Sequence, residues 1–155
     1  MWNWSEQCEK AFVELKRKFT TAVILGHYHR EWKKKFETDS RELYKAGIWS
    51  QYEPDRQWHH LSSYKKRFLP TELNYYIYDK EILVIFNCFQ ECRHFLKGAP
   101  EEIVVFTNHK NLEYFNSTNT LNQSQVRWAK ILSQFNLKIV YCPGEKNGKA
   151  DSLSR

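Results

Sequence analysis

Four side chains in this sequence are of the types and in the positions to share one piece of chemistry: Asp39, Glu81, Asn108 and Asp151. Three are carboxylates, and hard cations such as Mg²⁺ take oxygen ligands. Two such ions about 4 Å apart need several negative oxygens around them, and can then act on a phosphodiester. Asp39 closes one strand-like stretch, beginning at Lys33, and Asn108 closes another, running from Ile103 to Thr107. Ends of adjacent strands facing a helix that bears Glu81 would bring three oxygen donors to one spot. Asp151 sits at a loop-to-helix junction after Gly144 and Gly148 and could bring a fourth. Asn108 is the exception, because this chemistry wants an aspartate there. Asp and Glu are common residues, so the four positions alone do not separate a metal site from ordinary carboxylates.

Glu81 carries the strongest signal of its own. Ile77, Val84 and Ile85 lie four before, three after and four after it, so the charge falls inside the apolar stripe of a helix. A carboxylate buried there must pair with a Lys or Arg, neutralise, or bind a cation.

The elements that would position these groups can be read along the chain. Ser5 caps a first helix in which Cys8, Ala11, Phe12, Leu15 and Phe19 recur at helical spacing. A strand from Lys33 to Asp39, a second from Ala46 to Tyr52 and a noisier third from Trp58 to Phe68 form an antiparallel meander. Pro70 opens a long helix that reaches Lys97 and closes at Gly98. The apolar run from Ile103 to Thr107 suits a central buried strand. A short helix from Asn111 to Phe115 follows, then one from Gln123 to Phe135 with Val126, Ala129, Ile131, Leu132 and Phe135 inside. Leu137 to Tyr141 is the last strand, and Gly148 onward opens a helix. The layout is α/β, with helices on a mixed sheet.

Bulk properties set the frame. At 155 residues, with 41% hydrophobic and 16% aromatic content, the chain supports one domain with a real core. The net charge of +6 is compatible with a phosphate-bearing partner and equally with simple solubility. No apolar run is long enough to span a bilayer, and the N-terminus has no secretory pattern, so no membrane association and an intracellular, reducing location are expected. Cys8, Cys88, Cys92 and Cys142 have neither disulfide density nor a zinc pattern and read as structural thiols.

A longer set of motifs is more specific. Trp4-Ser5-Glu6, Ala11-Phe12, Leu15-Lys16 and Phe36-Glu37-Thr38-Asp39 are followed by Leu73-Asn74-Tyr75, Asp79-Lys80-Glu81-Ile82-Leu83 and Arg93-His94-Phe95-Leu96-Lys97-Gly98. Then come Thr107-Asn108-His109-Lys110-Asn111-Leu112, Gln125-Val126-Arg127-Trp128 and a closing Pro143-Gly144 to Ala150-Asp151-Ser152-Leu153-Ser154-Arg155. In this order, over nearly the whole chain, they resemble the ribonuclease H region of Gypsy-type LTR retrotransposon reverse transcriptase polyproteins.

The resemblance implies a ribonuclease-H-like fold, with a mixed five-stranded sheet flanked by helices and preceded by an N-terminal helix. It divides the chain into residues 1–32, helix and connection, and 33–155, the ribonuclease-H-like domain. It also implies cleavage of the RNA strand of RNA–DNA hybrids by two Mg²⁺ ions, or Mn²⁺ in their place, held by Asp39, Glu81 and Asp151. A polymerase module of the parent polyprotein is an implied partner.

At Asn108 the family pattern has aspartate. Asparagine keeps one carbonyl oxygen but loses a charge, and its amide nitrogen cannot bind metal. If that charge is worth roughly 3 kcal/mol in the transition state, the rate falls about a hundredfold or more. Hydrolysis is therefore expected to be weakened or absent. Further departures are Ser40-Arg41 onward, where the family has small residues and an earlier glycine, the more basic Ser63-Tyr64-Lys65-Lys66-Arg67-Phe68, and Val23 in place of a proline.

Hybrid recognition needs phosphate neutralisation and contacts to ribose hydroxyls. The candidates are Lys65, Lys66, Arg67, His109, Lys110 and Arg127, with Lys130. Trp58, Tyr75 and Trp128 either stack on sugars or bases or pack internally; the lysines grip phosphate or form a solvated face. His109 either shuttles a proton near neutral pH or is merely hydrogen-bonded. The rival to an enzyme is a captured module that binds nucleic acid or protein without cleaving.

Overall fold

The computed structural model describes residues 4–20, 25–117, 121–143 and 147–154. Val23, Gly144 to Lys146 and Arg155, which figure in the sequence reading, lie outside them. In chain order the elements are α1 (Glu6–Thr20), β1 (Lys34–Arg41), β2 (Tyr44–Tyr52), β3 (Trp58–Arg67), α2 (Ile77–Glu91), α3 (Arg93–Leu96), β4 (Ile103–Thr107), α4 (Gln123–Leu132), β5 (Leu137–Tyr141) and α5 (Gly148–Ser154).

The five strands make one mixed sheet ordered β3-β2-β1-β4-β5. β1, β2 and β3 form the expected antiparallel meander, whereas β4 lies parallel to both β1 and β5. β1 is therefore the centre of the sheet, and β4 is interior beside it. Phe36, Ile103, Val105 and Ile139 face α2 and α4, where they join Ile82, Ile85, Phe89, Trp128, Leu132 and Phe135 in the core. α5 packs on β1 and β2 from the opposite face.

The structure corrects several boundaries. β1 does not end at Asp39; pairing runs on through Ser40↔Lys45 to Arg41↔Tyr44, closed by a tight turn at Glu42 and Leu43. The irregular third strand has a cause, a register shift opposite Trp49 and Ser50 that inserts an extra residue.

The long helix from Pro70 to Lys97 is three pieces. Glu72–Asn74 is a 3-10 turn, held because the Glu72 carboxylate accepts the Leu69 N–H and pairs with Lys45 at 2.7 Å. Tyr75 and Tyr76 are extended, so Pro70 precedes the turn and is not in a helix's first turn. A second break falls at Cys92, and Gly98, at φ 73°, does close the segment.

α4 begins at a capping box in which Asn122 and Gln125 exchange side-chain and backbone bonds. It stops at Leu132, leaving Phe135 buried beyond its end and Val126 51% exposed, on the solvent side. Ile77 is likewise outside, at 57% exposure, in the first turn of α2. α1 forms as read, but none of its described residues is buried; Phe12, Leu15 and Phe19 are exposed.

The four cysteines are free. Burial pushes the Cys88 thiol far up and the Cys92 thiol up to about 11, which fits structural thiols. Cys88 also explains a glycine. A Cβ on Gly47, in β2, would collide with its sulfur, so helix α2 can approach the sheet here only over hydrogen. Gly47→Ala is expected to lower unfolding stability by about 1–3 kcal/mol, as overpacking does. Adding Cys88→Ala should restore part of it, a coupling measurable by urea denaturation of both single variants and the double variant.

Candidate active site

The alternation of β1 decides the geometry here. Residues 34, 36, 38 and 40 face α2, whereas 35, 37, 39 and 41 face α5. Asp39 and Ser40 are thus neighbours pointing to opposite sides of the sheet.

On the α5 side, Asp39 is 3% exposed and both of its oxygens are engaged. Oδ1 accepts from the Asn108 amide nitrogen at 2.6 Å, and Oδ2 accepts from the Ser154 hydroxyl at 2.6 Å. Asn108 can reach it because β4 runs parallel beside β1 and releases the chain at Thr107. Ser154 can because α5 packs across β1, with Asn147 donating its amide to the Thr38 carbonyl at 2.9 Å. Asp151, one helical turn before Ser154, receives the Arg41 guanidinium at 3.3 Å. Burial raises the Asp39 pKa; the Asp151 charge adds to this, and Ser154, Arg41 and Asn108 oppose it.

Glu81 reaches the sheet from the α2 side and is 1% exposed. Oε1 accepts from the Ser40 backbone N–H at 3.0 Å and the Ser40 hydroxyl at 2.6 Å; Oε2 accepts from Thr107 Oγ1 at 3.3 Å. The buried carboxylate is thus met by hydroxyl and amide donors, and among the described residues no ion pair forms at Glu81. Burial pushes its carboxyl up to about 7, with the Asp39 charge adding and the Ser40 and Thr107 hydrogen bonds opposing.

The four acid-set positions are therefore brought together: Asp39, Asn108 and Asp151 on one face, with Glu81 abutting them from the other. The basic candidates are split. Pairing places Lys65 in the same cross-strand row as Ala46 and Asp39, and Arg67 in the row of Tyr44 and Arg41. Lys66 points the other way, to Glu91 at 3.4 Å. Lys110 is exposed just past Asn108; His109 lies against the Tyr78 ring with its Nδ1 buried and, among the described residues, without a hydrogen-bond partner. Arg127 and Lys130 are exposed on α4. Trp128 is 3% exposed, packed with Phe86 and Tyr75, and cannot stack on a base. Tyr75 is half-buried beside it. Trp58 is exposed, with the Lys35 ammonium over its ring.

The family model of the RNase H-like domain found in reverse transcriptase matches residues 4–105. This chain belongs to that family. Among curated relatives, the transposon Tf2-3 polyprotein of Schizosaccharomyces pombe is 30% identical over 99% of the chain, which spans about 12% of that polyprotein's length. The foamy viral protease-reverse transcriptase in complex with RNA/DNA hybrid superposes with a TM-score of 0.59 at 14% identity, over 90% of this chain and 19% of that one. LC11-RNase H1 in complex with RNA/DNA hybrid gives 0.56 at 15%, over 79% and 92%. The RNase H-like fold read from the sequence is thus the one present.

Against that family background, the donor set departs from what a pair of divalent ions needs. Asp39, Glu81 and Asp151 supply the right oxygens. However, both oxygens of Asp39 and of Glu81 already carry protein donors, and the nitrogen of Asn108 faces Asp39. Among the described residues, no three His, Cys, Asp or Glu side chains come together in an arrangement that could hold a metal ion. The site as built is a hydrogen-bonded cluster, with Asp39 and Glu81 buried and the Arg41–Asp151 pair partly open to solvent.

Reading the sequence missed Ser40, Thr107, Arg41 and Ser154 as members of this cluster. Ser154 had a usable signal, since it follows Asp151 by three residues in a helix start and shares its face. Thr107 had none that the sequence alone exposes.

The raised Glu81 pKa has a defined consequence for stability. An acid whose folded pKa lies above its ordinary value stabilises the fold below that ordinary value, here 4.5, and loses the effect as pH rises through about 7. Between about pH 5 and pH 8 the chain should lose on the order of 3 kcal/mol relative to Glu81→Gln. Urea denaturation across that range tests it; parallel pH profiles would contradict it.

Proposed function

We propose that this chain is the ribonuclease H segment, residues 33–155, of a Gypsy-type retroelement polyprotein, joined through residues 1–32 to a polymerase module. It engages RNA–DNA hybrid, and its hydrolytic step is strongly weakened or lost. The observation that carries the second half is the 2.6 Å bond from the Asn108 amide to Asp39. An amide donor, in place of a carboxylate acceptor, faces Asp39 and engages an oxygen that a cation held by this acid would need free. Hybrid is the substrate class of this reading because the chain belongs to the RNase H-like family of reverse transcriptases and two structures that share its fold hold RNA/DNA hybrid. Two Mg²⁺ ions, or Mn²⁺, belong to the cleavage-competent form of this reading, with Asp39, Glu81 and Asp151 as their ligands.

Binding does not depend on the acid set being complete. Lys65 and Arg67 lie in the same cross-strand rows as Asp39 and Arg41, on a strand at the sheet edge. Lys110 lies just past Asn108, and the three form a basic border to the cluster. Phosphates held there release counterions, so affinity must fall steeply with salt. A non-cleaving binding module is the second reading, favoured by this border and by the engaged carboxylates.

Two measurements test the proposal. In hybrid binding titrations, Lys65→Ala with Arg67→Ala should weaken affinity and reduce the salt slope by about one per lost phosphate contact. In cleavage assays with Mg²⁺ or Mn²⁺, the chain should cut a labelled hybrid at least about a hundredfold more slowly than Asn108→Asp. Cleavage within tenfold of that variant would show that the amide does not silence the site. Absence of salt-sensitive hybrid binding would remove the nucleic-acid reading altogether.

A further inference from the structure

We infer that Arg41 is the resident cation of the carboxylate cluster: its guanidinium, together with the Asn108 amide, closes the site with protein groups so that no divalent ion is needed to hold it. The inference rests on reading Asp39, Glu81 and Asp151 as one acid set.

Arg41 is the last residue of β1 and lies two residues beyond Asp39 on the same face of the strand. From there it meets Asp151 Oδ1 at 3.3 Å. The position is fixed by the hairpin, since Arg41 pairs with Tyr44 across a two-residue turn. A small residue at 41 could not span to α5.

Charge counting makes the point sharper. When fully ionised, Asp39, Glu81 and Asp151 carry three negative charges, and among the described residues Arg41 adds one positive charge beside Asp151, leaving two negative. An aspartate at 108 with a neutral residue at 41 would leave four. Asparagine at 108 and arginine at 41 thus leave the cluster two units less negative than that alternative. They also act on different acids, the amide on Asp39 and the guanidinium on Asp151.

The mechanical role of an ion is covered as well. A metal shared by Asp39 and Asp151 would tie α5 to β1. Here Ser154 to Asp39, Asn147 to Thr38 and Arg41 to Asp151 make those ties directly. Each joins α5, or the residue preceding it, to β1.

Metal-dependent stability tests this without any activity assay. The melting temperature of the intact chain should be the same, within about 1 °C, in EDTA and in Mg²⁺ or Mn²⁺. The double variant Arg41→Ser with Asn108→Asp should melt lower in EDTA. It should rise by about 5–10 °C when Mn²⁺ is a hundredfold above its dissociation constant. Arg41→Lys, which keeps the charge, should stay insensitive to metal.

A Mn²⁺ titration followed by electron paramagnetic resonance at 25 °C gives a second readout, needing no variant to fold. Millimolar or tighter binding by the unaltered chain overturns the inference. So does an equal Mn²⁺ increment in melting temperature for the chain and the double variant. Loss of hybrid binding with metal-insensitive melting would instead sink the proposed function and leave Arg41 in this role.

Discussion

Strand β1 has to keep two buried carboxylates satisfied at once, one on each of its faces. Asp39 looks toward α5, and Ser40, the next residue, looks toward Glu81 on α2. Removing a carboxylate from water costs several kcal/mol unless donors replace the lost hydration. Much of the local architecture follows from supplying them. β4 must run parallel to β1 so that Thr107 and Asn108 emerge on the two sides, one for each acid. α5 must cross β1 so that Ser154 arrives at the second oxygen of Asp39.

That constraint links the fold to its chemistry. In this chain three carboxylates gather where β1 meets its neighbours, and donors have to answer their charge. Among the described residues the answer comes from hydrogen-bond donors and the Arg41 guanidinium. The arrangement is self-consistent, with an asparagine at 108 leaving no open defect in the structure. Asn108 has a partner, Asp39 has two, and the helix that carries Asp151 is anchored.

The strands were legible because their pattern is local. Ile103 to Thr107 and Leu137 to Tyr141 match β4 and β5 to the residue, since short apolar runs between polar ones leave little choice. The ends of β1 were not, because pairing through Arg41 depends on a turn at Glu42 and Leu43 that has no Gly or Asn to announce it. The helix from Pro70 looked continuous because its break is set by a distant partner, Lys45 on β2, holding Glu72. Of the candidate site, the four acid-set positions could be named from motif order, but their hydrogen-bond donors could not. Ser40 and Thr107 serve Glu81 only because two strands and a helix meet there, and no periodicity encodes that meeting.

The sheet edges carry one more consequence. β3 is an outer strand, and its free backbone groups could template pairing with another chain. Its final three residues are Lys65, Lys66 and Arg67, pointing alternately to both faces. A strand approaching that edge would have to bury or juxtapose like charges on either side of the sheet. Lys65 and Arg67 on the carboxylate side and Lys66 on the other therefore also keep the protein from growing sideways. Replacing all three with neutral residues would open a seam for aggregation.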